Sequence, residues 1–459
     1  MKPLPLALLS IALLAASPNT ERQRAEHALN RLAFGAKPGD VERVMRIGVD
    51  RWIEQQLHPE RIADAAVERR LARFDTLRMS ETEIAAEFLE PIAKARGDED
   101  MLRDARRNGR RVVEELTAQR ILRAAESERQ LNEVMVDFWM NHFNVFAGKG
   151  IDRFLLTSYE RDTIRPRIWG KFEDLVLATA KSPAMLFYLD NARSRRDAIN
   201  ENYARELMEL HTLGVDGGYT QKDVTELARV LTGWSIRRPQ EGTAGFLYRP
   251  FAHDAREKTV LGTRIAVGGG MEEGERMIRL LARHPSTARH IAFKLAQRLV
   301  ADDPPKALVD RVAKRFTETG GDLRATVKAV IDSPEFWQTY RGKLKSPFEY
   351  AISAIRATGA QVDNARPLAR ELQKIGQPLY FAQPPTGWSD TADAWENSGA
   401  LLARLNFAIA LTSNKMPGVR VATLDIPIDL SPNTRKALEG KDAQTTAALK
   451  LGSPEFQRQ

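Results

Sequence analysis

Apolar residues recur every three to four positions along almost the whole chain, and this helical period constrains the fold more than any other feature. Segments that carry it span residues 21–34, 40–47, 50–57, 81–96, 112–126, 128–141, 152–163 and 172–180. Beyond them follow 200–213, 222–232, 272–283, 286–300, 306–319, 323–331, 348–358 and 398–413. Strict alternation, the signature of a half-buried strand, surfaces in one place. Residues 245–249 and 258–267 alternate and are rich in aromatic and β-branched side chains, so they predict a small hairpin with His253 and Asp254 in its loop. The fold class that follows is mainly α, an irregular multi-helix assembly with one small β-hairpin near residues 245–267. Helix starts carry a repeated device. Ser182, Ser333, Ser346, Ser431 and Ser453 each precede a proline, which puts an acceptor at the N-cap and a residue without an N–H where none is needed.

Cysteine is absent, which removes disulfides, thiolate nucleophiles and thiolate-bound metals together. Lys2 precedes an apolar run from Leu4 to Ala16 that ends in the small residues Ala15-Ala16-Ser17. Residues 1–19 therefore read as a signal peptide, too short to remain as a membrane anchor. Pro18 leaves the cut open between residues 17 and 22. The expected product is a soluble protein, periplasmic or secreted, with no membrane span in the mature chain. Residues 20–415 are expected to form a single helical domain, and 416–459 a C-terminal tail with short helices packed on it. The formal charge of +8 is a modest basic excess. Its densest cluster, residues 103–111, has no interleaved aromatic side chain, so no nucleic acid is expected as a partner.

Chemistry concentrates in residues 200–234. Asn202, Glu206 and Glu209 are spaced i, i+4, i+7, which puts them on one helical stripe, and His211 lies close by at the end of the same helix. Two carboxylates, an amide and an imidazole could hold a divalent metal or run acid–base catalysis. The same charges also suit a solvated helix, because Arg205 stands four residues from both Glu201 and Glu209 and can neutralise the two, and His211, on the side of Ala204, Leu207 and Met208, suits a packed histidine better than a ligand. On the first reading Glu206 and His211 matter for function, and Arg205 for folding. After the helix, Gly214 and the run Asp216-Gly217-Gly218 turn the chain, and Thr220 caps the next helix with Asp223 at N3. Asn141 and His142 form a polar patch in an apolar setting, and His142 could meet Glu206 or Glu209 across a helix interface. The adjacent pair His253 and Asp254 is a candidate for metal ligation. Residues 377–393, with Pro378, Pro384, Pro385, Gly387 and Trp388, cannot form a regular helix and suit either a pocket lining or a plain connector. The candidate set is thus Glu206, Glu209, His211 and His142 for catalysis, Asn202, Asn141 and Trp388 for substrate, and His253 and Asp254 for metal. The zinc-protease, nucleophile-elbow and P-loop patterns are all missing.

Residues 200–234, together with HALNRLAFGAKPGDVERV (27–44), FWMNHFNVFAGKG (138–150), SPAMLFYLDN (182–191), HPSTARHIAFKL (284–295), KSPFEY, QPLYFAQPPTGW and the terminal SPEFQR, closely resemble the bacterial family catalogued as domain of unknown function 1800. The resemblance runs from about residue 25 to 455. It implies a shared fold and carries no activity with it. It also suggests a partner, since members of that family are commonly encoded beside a secreted sulfatase-like family, domain of unknown function 1501. Two functions stand against each other at this point. One is an exported hydrolase, metal-assisted or acid–base; the other is a non-catalytic secreted partner of the sulfatase-like protein.

Overall fold

The computed structural model describes residues 20–237, 241 and 244–459. The leader read in residues 1–19 lies outside them. Within them the chain is largely helical, with strands confined to two-stranded antiparallel ribbons. Among the described residues no helix is long and apolar enough to cross a membrane.

Local chemistry sets the helix starts. Ser333, Ser346, Ser431 and Ser453 each accept a hydrogen bond from the backbone N–H three residues on, with proline at the first helical position. Ser182 also precedes a helix, Pro183–Tyr188, but its side chain makes no cap bond. Thr220 and Asp223 form the reciprocal capping box that their spacing predicts. Gly214 and Gly218 both take positive φ in the turn before it.

The basic run at residues 103–111 belongs to one 28-residue helix, Glu99–Glu126, whose buried positions begin only at Gly109. Its first half is therefore a solvated arm and its second half core. Helices pack around a contiguous apolar interior in which Trp139, Trp234 and Tyr203 are fully buried. A small satellite of Ile84, Phe88, Val112 and Phe154 sits apart from it.

The strand-forming stretch near 245–267 is two ribbons rather than one hairpin. β1 (Trp234–Ile236) pairs with β2 (Phe246–Tyr248), and β3 (Lys258–Val260) pairs with β4 (Thr263–Ile265). Leu261 and Gly262 both have positive φ, which closes β3 onto β4 in two residues and leaves β2 to find its partner upstream. A third ribbon joins β5 (Gln361–Val362) to β6 (Val419–Arg420). The short helices Pro432–Leu438, Ala443–Gly452 and Pro454–Gln457 follow, and Ala443–Gly452 packs against Ser398–Thr412.

Among the described residues three helical segments contain a π turn, one at Ala85–Leu89 and two that carry Glu160 and Glu209. Asp152–Ser158 runs on into the π turn Tyr159–Ile164, and Asn202–Glu206 into the π turn Leu207–Thr212. Each insertion rotates the side chains that follow it relative to an unbroken α-helix. Glu160 rides on the first turn; Glu209 and His211 ride on the second.

Candidate active site

Glu206 and Glu209 face outward and are half-buried, and Asn202 at the head of the stripe is exposed. The Asn202 side chain reaches back 3.4 Å to the carbonyl of Leu189. Arg205 does not neutralise Glu209. Its guanidinium bonds Glu201 at 3.2 Å and Gln221 at 3.0 Å instead. That pair is well exposed, so its worth is under ~1 kcal/mol and Arg205 adds little to folding. Among the described residues neither Glu206 nor Glu209 has a cation within ion-pair distance. Burial, and then the neighbouring Glu209 charge, hold the Glu206 carboxyl above the usual carboxylate range, with Arg205 opposing.

His211 and His142 lie in the core instead of beside these carboxylates. The His211 ring packs 5.1 Å from Phe143 and 6.2 Å from His142, and its Nε2 has no hydrogen-bond partner. Burial, followed by the neighbouring His290, lowers its pKa to about 3, so the ring is neutral at physiological pH and a poor base. His142 donates from Nε2 to the carbonyl of His211 at 3.2 Å, and His290 donates to the carbonyl of Leu210 at 3.0 Å. Carbonyls at a helix end lack internal partners, and these two imidazoles supply them. The pair therefore fixes the π turn from behind. His290 had gone unnoticed in the sequence although it lies in the HPSTARHIAFKL motif.

His253 and Asp254 are likewise committed elsewhere. Asp254 accepts from Arg229 at 2.8 Å and from Arg256 at 2.7 Å, and these guanidiniums hold its carboxyl well below the usual range. His253 bonds through Nδ1 to the Thr232 carbonyl at 2.9 Å. Its Nε2 lies 3.0 Å from Glu273, without hydrogen-bond alignment, and the buried Lys258 ammonium bonds the same Glu273 oxygen. A fixed cation on that carboxylate disfavours a second one. Among the described residues no three His, Asp or Glu side chains converge in a geometry that would hold a metal.

What does converge is a set of motifs that lie far apart in the chain. Tyr188, from SPAMLFYLDN, donates its hydroxyl to the Gln383 carbonyl at 2.7 Å, which ties it to the proline loop. Lys149, from FWMNHFNVFAGKG, donates to the Tyr188 carbonyl at 2.5 Å and to Asp190 at 2.8 Å. The Tyr188 hydroxyl is held above its ordinary pKa by burial first, then by the nearby carboxyls of Asp152 and Glu206, which are ionised where a phenol titrates. Asp152 is fully buried and neither carboxyl oxygen has a hydrogen-bond partner. Burial pushes its pKa up to about 9; nearby Lys149 works against that and Asp190 with it. Tyr188 thus stands among three acids, one of them neutral at pH 7.

The proline loop is ordered by two asparagines, Asn141 in the last turn of the Gln130–His142 helix and Asn144 just beyond its end. Asn141 donates to the Trp388 carbonyl at 2.8 Å and accepts from the Trp388 N–H at 2.7 Å, as a paired backbone unit would. Asn144 donates to the carbonyls of Ala382 at 3.0 Å and Pro384 at 2.9 Å. Gly387 has φ of 70°, and a Cβ there would sit 2.4 Å from the Asn141 oxygen, so only glycine fits. Trp388 and Asn141 line a cavity of about 40 Å³, far below the roughly 300–1,000 Å³ of a ligand pocket. They serve to fasten the loop.

Under that loop runs a chain of alternating buried charges. Arg165 joins Glu133 at 2.9 Å to Glu160 at 2.8 Å. Arg120 lies 3.5 Å from Glu160 and 2.6 Å from Asp137. Arg298 lies 3.3 Å from Asp137 and 2.5 Å from Glu349. Tyr380, from the loop itself, donates to Glu160 at 2.5 Å.

Among known proteins, the family whose model matches this chain, over residues 27–458, is described as protein of unknown function (DUF1800). No curated protein and no solved structure matches it.

Proposed function

The chain belongs to the DUF1800 family, and from its geometry we propose that it is a hydrolase working by general acid–base catalysis through Glu206 and Glu209. One observation carries the reading: two neighbouring, half-buried carboxylates stand without a cation on either. Such a pair cannot ionise together cheaply. The carboxyl held above the usual range keeps its proton to higher pH than a free glutamate and can pass it to a leaving group, while the partner carboxylate activates water. Glu206, the carboxyl held high, is the acid, and Glu209 is the base. The Asn202 amide orients substrate at the head of the stripe. His142 and His211 support the π turn from the core. The proposed steps use side chains alone, because the described residues do not offer a metal-ligand set. The apolar run Leu4–Ala16 after Lys2 reads as a leader and supports a periplasmic or secreted setting for this chemistry.

A second reading, the non-catalytic partner of the sulfatase-like protein, has its own support. The Ser398–Thr412 helix presents Leu401, Leu402 and Ile409 to solvent at 43%, 59% and 44% exposure. An apolar helix face of that kind favours a docking surface.

One experiment separates the two. Purified protein is assayed on chromogenic glycosides, esters and phosphate esters with and without a chelator. The expected result is turnover that survives the chelator and falls at least about a hundredfold in Glu206→Gln and Glu209→Gln, with unchanged melting temperature. No turnover on any substrate class, with binding to the purified sulfatase-like protein that Leu402→Asp abolishes, would put the second reading first.

A further inference from the structure

A groove of about 500 Å³ opens on the face of the proline loop that Phe381 and Leu379 border. That volume is within the range of a small-molecule site. Four arginines reach it: Arg110 from Glu99–Glu126, Arg153 from Asp152–Ser158, and Arg366 and Arg370 from Ala365–Lys374. The floor is apolar, formed by Val113, Ala369 and Leu379, with Phe381 at the mouth. Phe381 is 42% exposed and makes an edge-on contact with Phe146, which fixes a large apolar ring at the rim.

The charge in this groove is not spent internally. Arg366 pairs with Glu114, the one acidic side chain in the lining. Among the described residues, Arg110, Arg153 and Arg370 have no carboxylate within ion-pair distance. The Nε of Arg153 is buried and has no hydrogen-bond partner. A buried guanidinium nitrogen without an acceptor is costly unless something supplies one. Four cations against one anion, beside an apolar floor, leave an excess that complements a negative head attached to an apolar body.

We propose that this groove binds an anionic amphiphile, with a carboxylate or phosphate head held by Arg153, Arg370 and Arg110 and an alkyl or aryl body lying on Val113, Leu379 and Phe381. Guanidinium forks match both head groups in the same bidentate manner. The site is separate from Glu206 and Glu209, so its ligand binds whether or not those carboxylates are catalytic.

Calorimetry with the full-length protein tests this, using decanoate, decyl phosphate, decanol and decyltrimethylammonium below their micelle-forming concentrations. Decanoate, decyl phosphate or both should bind, and whichever is tighter identifies the head group. Decanol and the ammonium should bind at least about tenfold more weakly. Arg370→Gln and Arg110→Gln, both at exposed positions, should each weaken the anion by about tenfold, and Arg153→Gln by more. Phe381→Ala should weaken decanoate and leave inorganic phosphate unaffected. If Arg153→Gln does not fold, the two exposed variants decide. Equal binding of all four amphiphiles, no binding of either anion, or anion binding untouched by Arg370→Gln and Arg110→Gln would overturn the proposal.

Discussion

Replacing Glu160 by glutamine is expected to lower the free energy of unfolding at pH 7 by about 3–5 kcal/mol. The carboxylate is fully buried and is shared by Arg165, Arg120, Gln119 and the Tyr380 hydroxyl. Burial alone would raise its pKa, but Arg165 and then Arg120 outweigh it and hold the group below its usual value. Glutamine keeps one acceptor and removes the charge, so Arg165 is left with Glu133 alone and Arg120 with Asp137 alone, and the buried chain carries an excess of positive charge. The sign of the pH dependence follows. A carboxyl depressed in the folded state contributes stability that is present above its unfolded pKa and is lost as pH falls through the folded one. The gap between wild type and Glu160→Gln should therefore narrow in acid. Urea unfolding at pH 7 and pH 4 measures both effects, and a loss under ~1 kcal/mol at pH 7 would mean that the buried chain of charges does not act as a unit.

Asp152→Asn should act in the opposite direction. The carboxyl is buried without a partner, and its pKa is pushed up to about 9. A raised acid contributes stability that is fully present below its unfolded pKa, near ~4, and is lost as pH rises through the folded value. Between those limits the wild type forfeits about 1.4 kcal/mol per pH unit. Asparagine is neutral throughout and nearly the same size, so the variant should match wild type at pH 4 and exceed it by on the order of 5 kcal/mol at pH 8. Parallel stability curves for the two proteins would show that Asp152 ionises without penalty. A group that weakens the fold near neutral pH, placed against Tyr188 and Lys149, is the kind of residue retained for chemistry.

Much of the fold was legible because helix signals are local. The Ser-Pro starts, the Thr220 capping box and the 3.6 period each need only a few adjacent residues. Pairing is a different kind of information. The alternation at Phe246–Tyr248 marks a strand correctly, yet its partner, Trp234–Ile236, lies upstream where the pattern ends a helix. The π turn Leu207–Thr212 leaves no mark in the sequence either. Helical spacing alone puts His211 on the side of Ala204, Leu207 and Met208, and the structure buries the imidazole there; residue type, not spacing, joins it to Glu206 and Glu209. Residue types drew attention to Asn141 and Trp388, but their mutual hydrogen bonds close a separation of 247 residues that no local pattern encodes. The same holds for Asp152, Lys149 and Tyr188, which look unremarkable one at a time and gain their character from burial and from each other.

The most direct measurement on the Glu206–Glu209 pair is a carbon-13 NMR titration of protein labelled at the glutamate carboxyl carbons. Glu206→Gln and Glu209→Gln assign the two resonances. The Glu206 carboxyl should titrate above the ordinary glutamate range, and it should fall toward that range in Glu209→Gln, because part of its elevation comes from that neighbour. Glu206 titrating at the ordinary glutamate value, unmoved by the loss of Glu209, would contradict the pair and return the stripe to a solvated helix face.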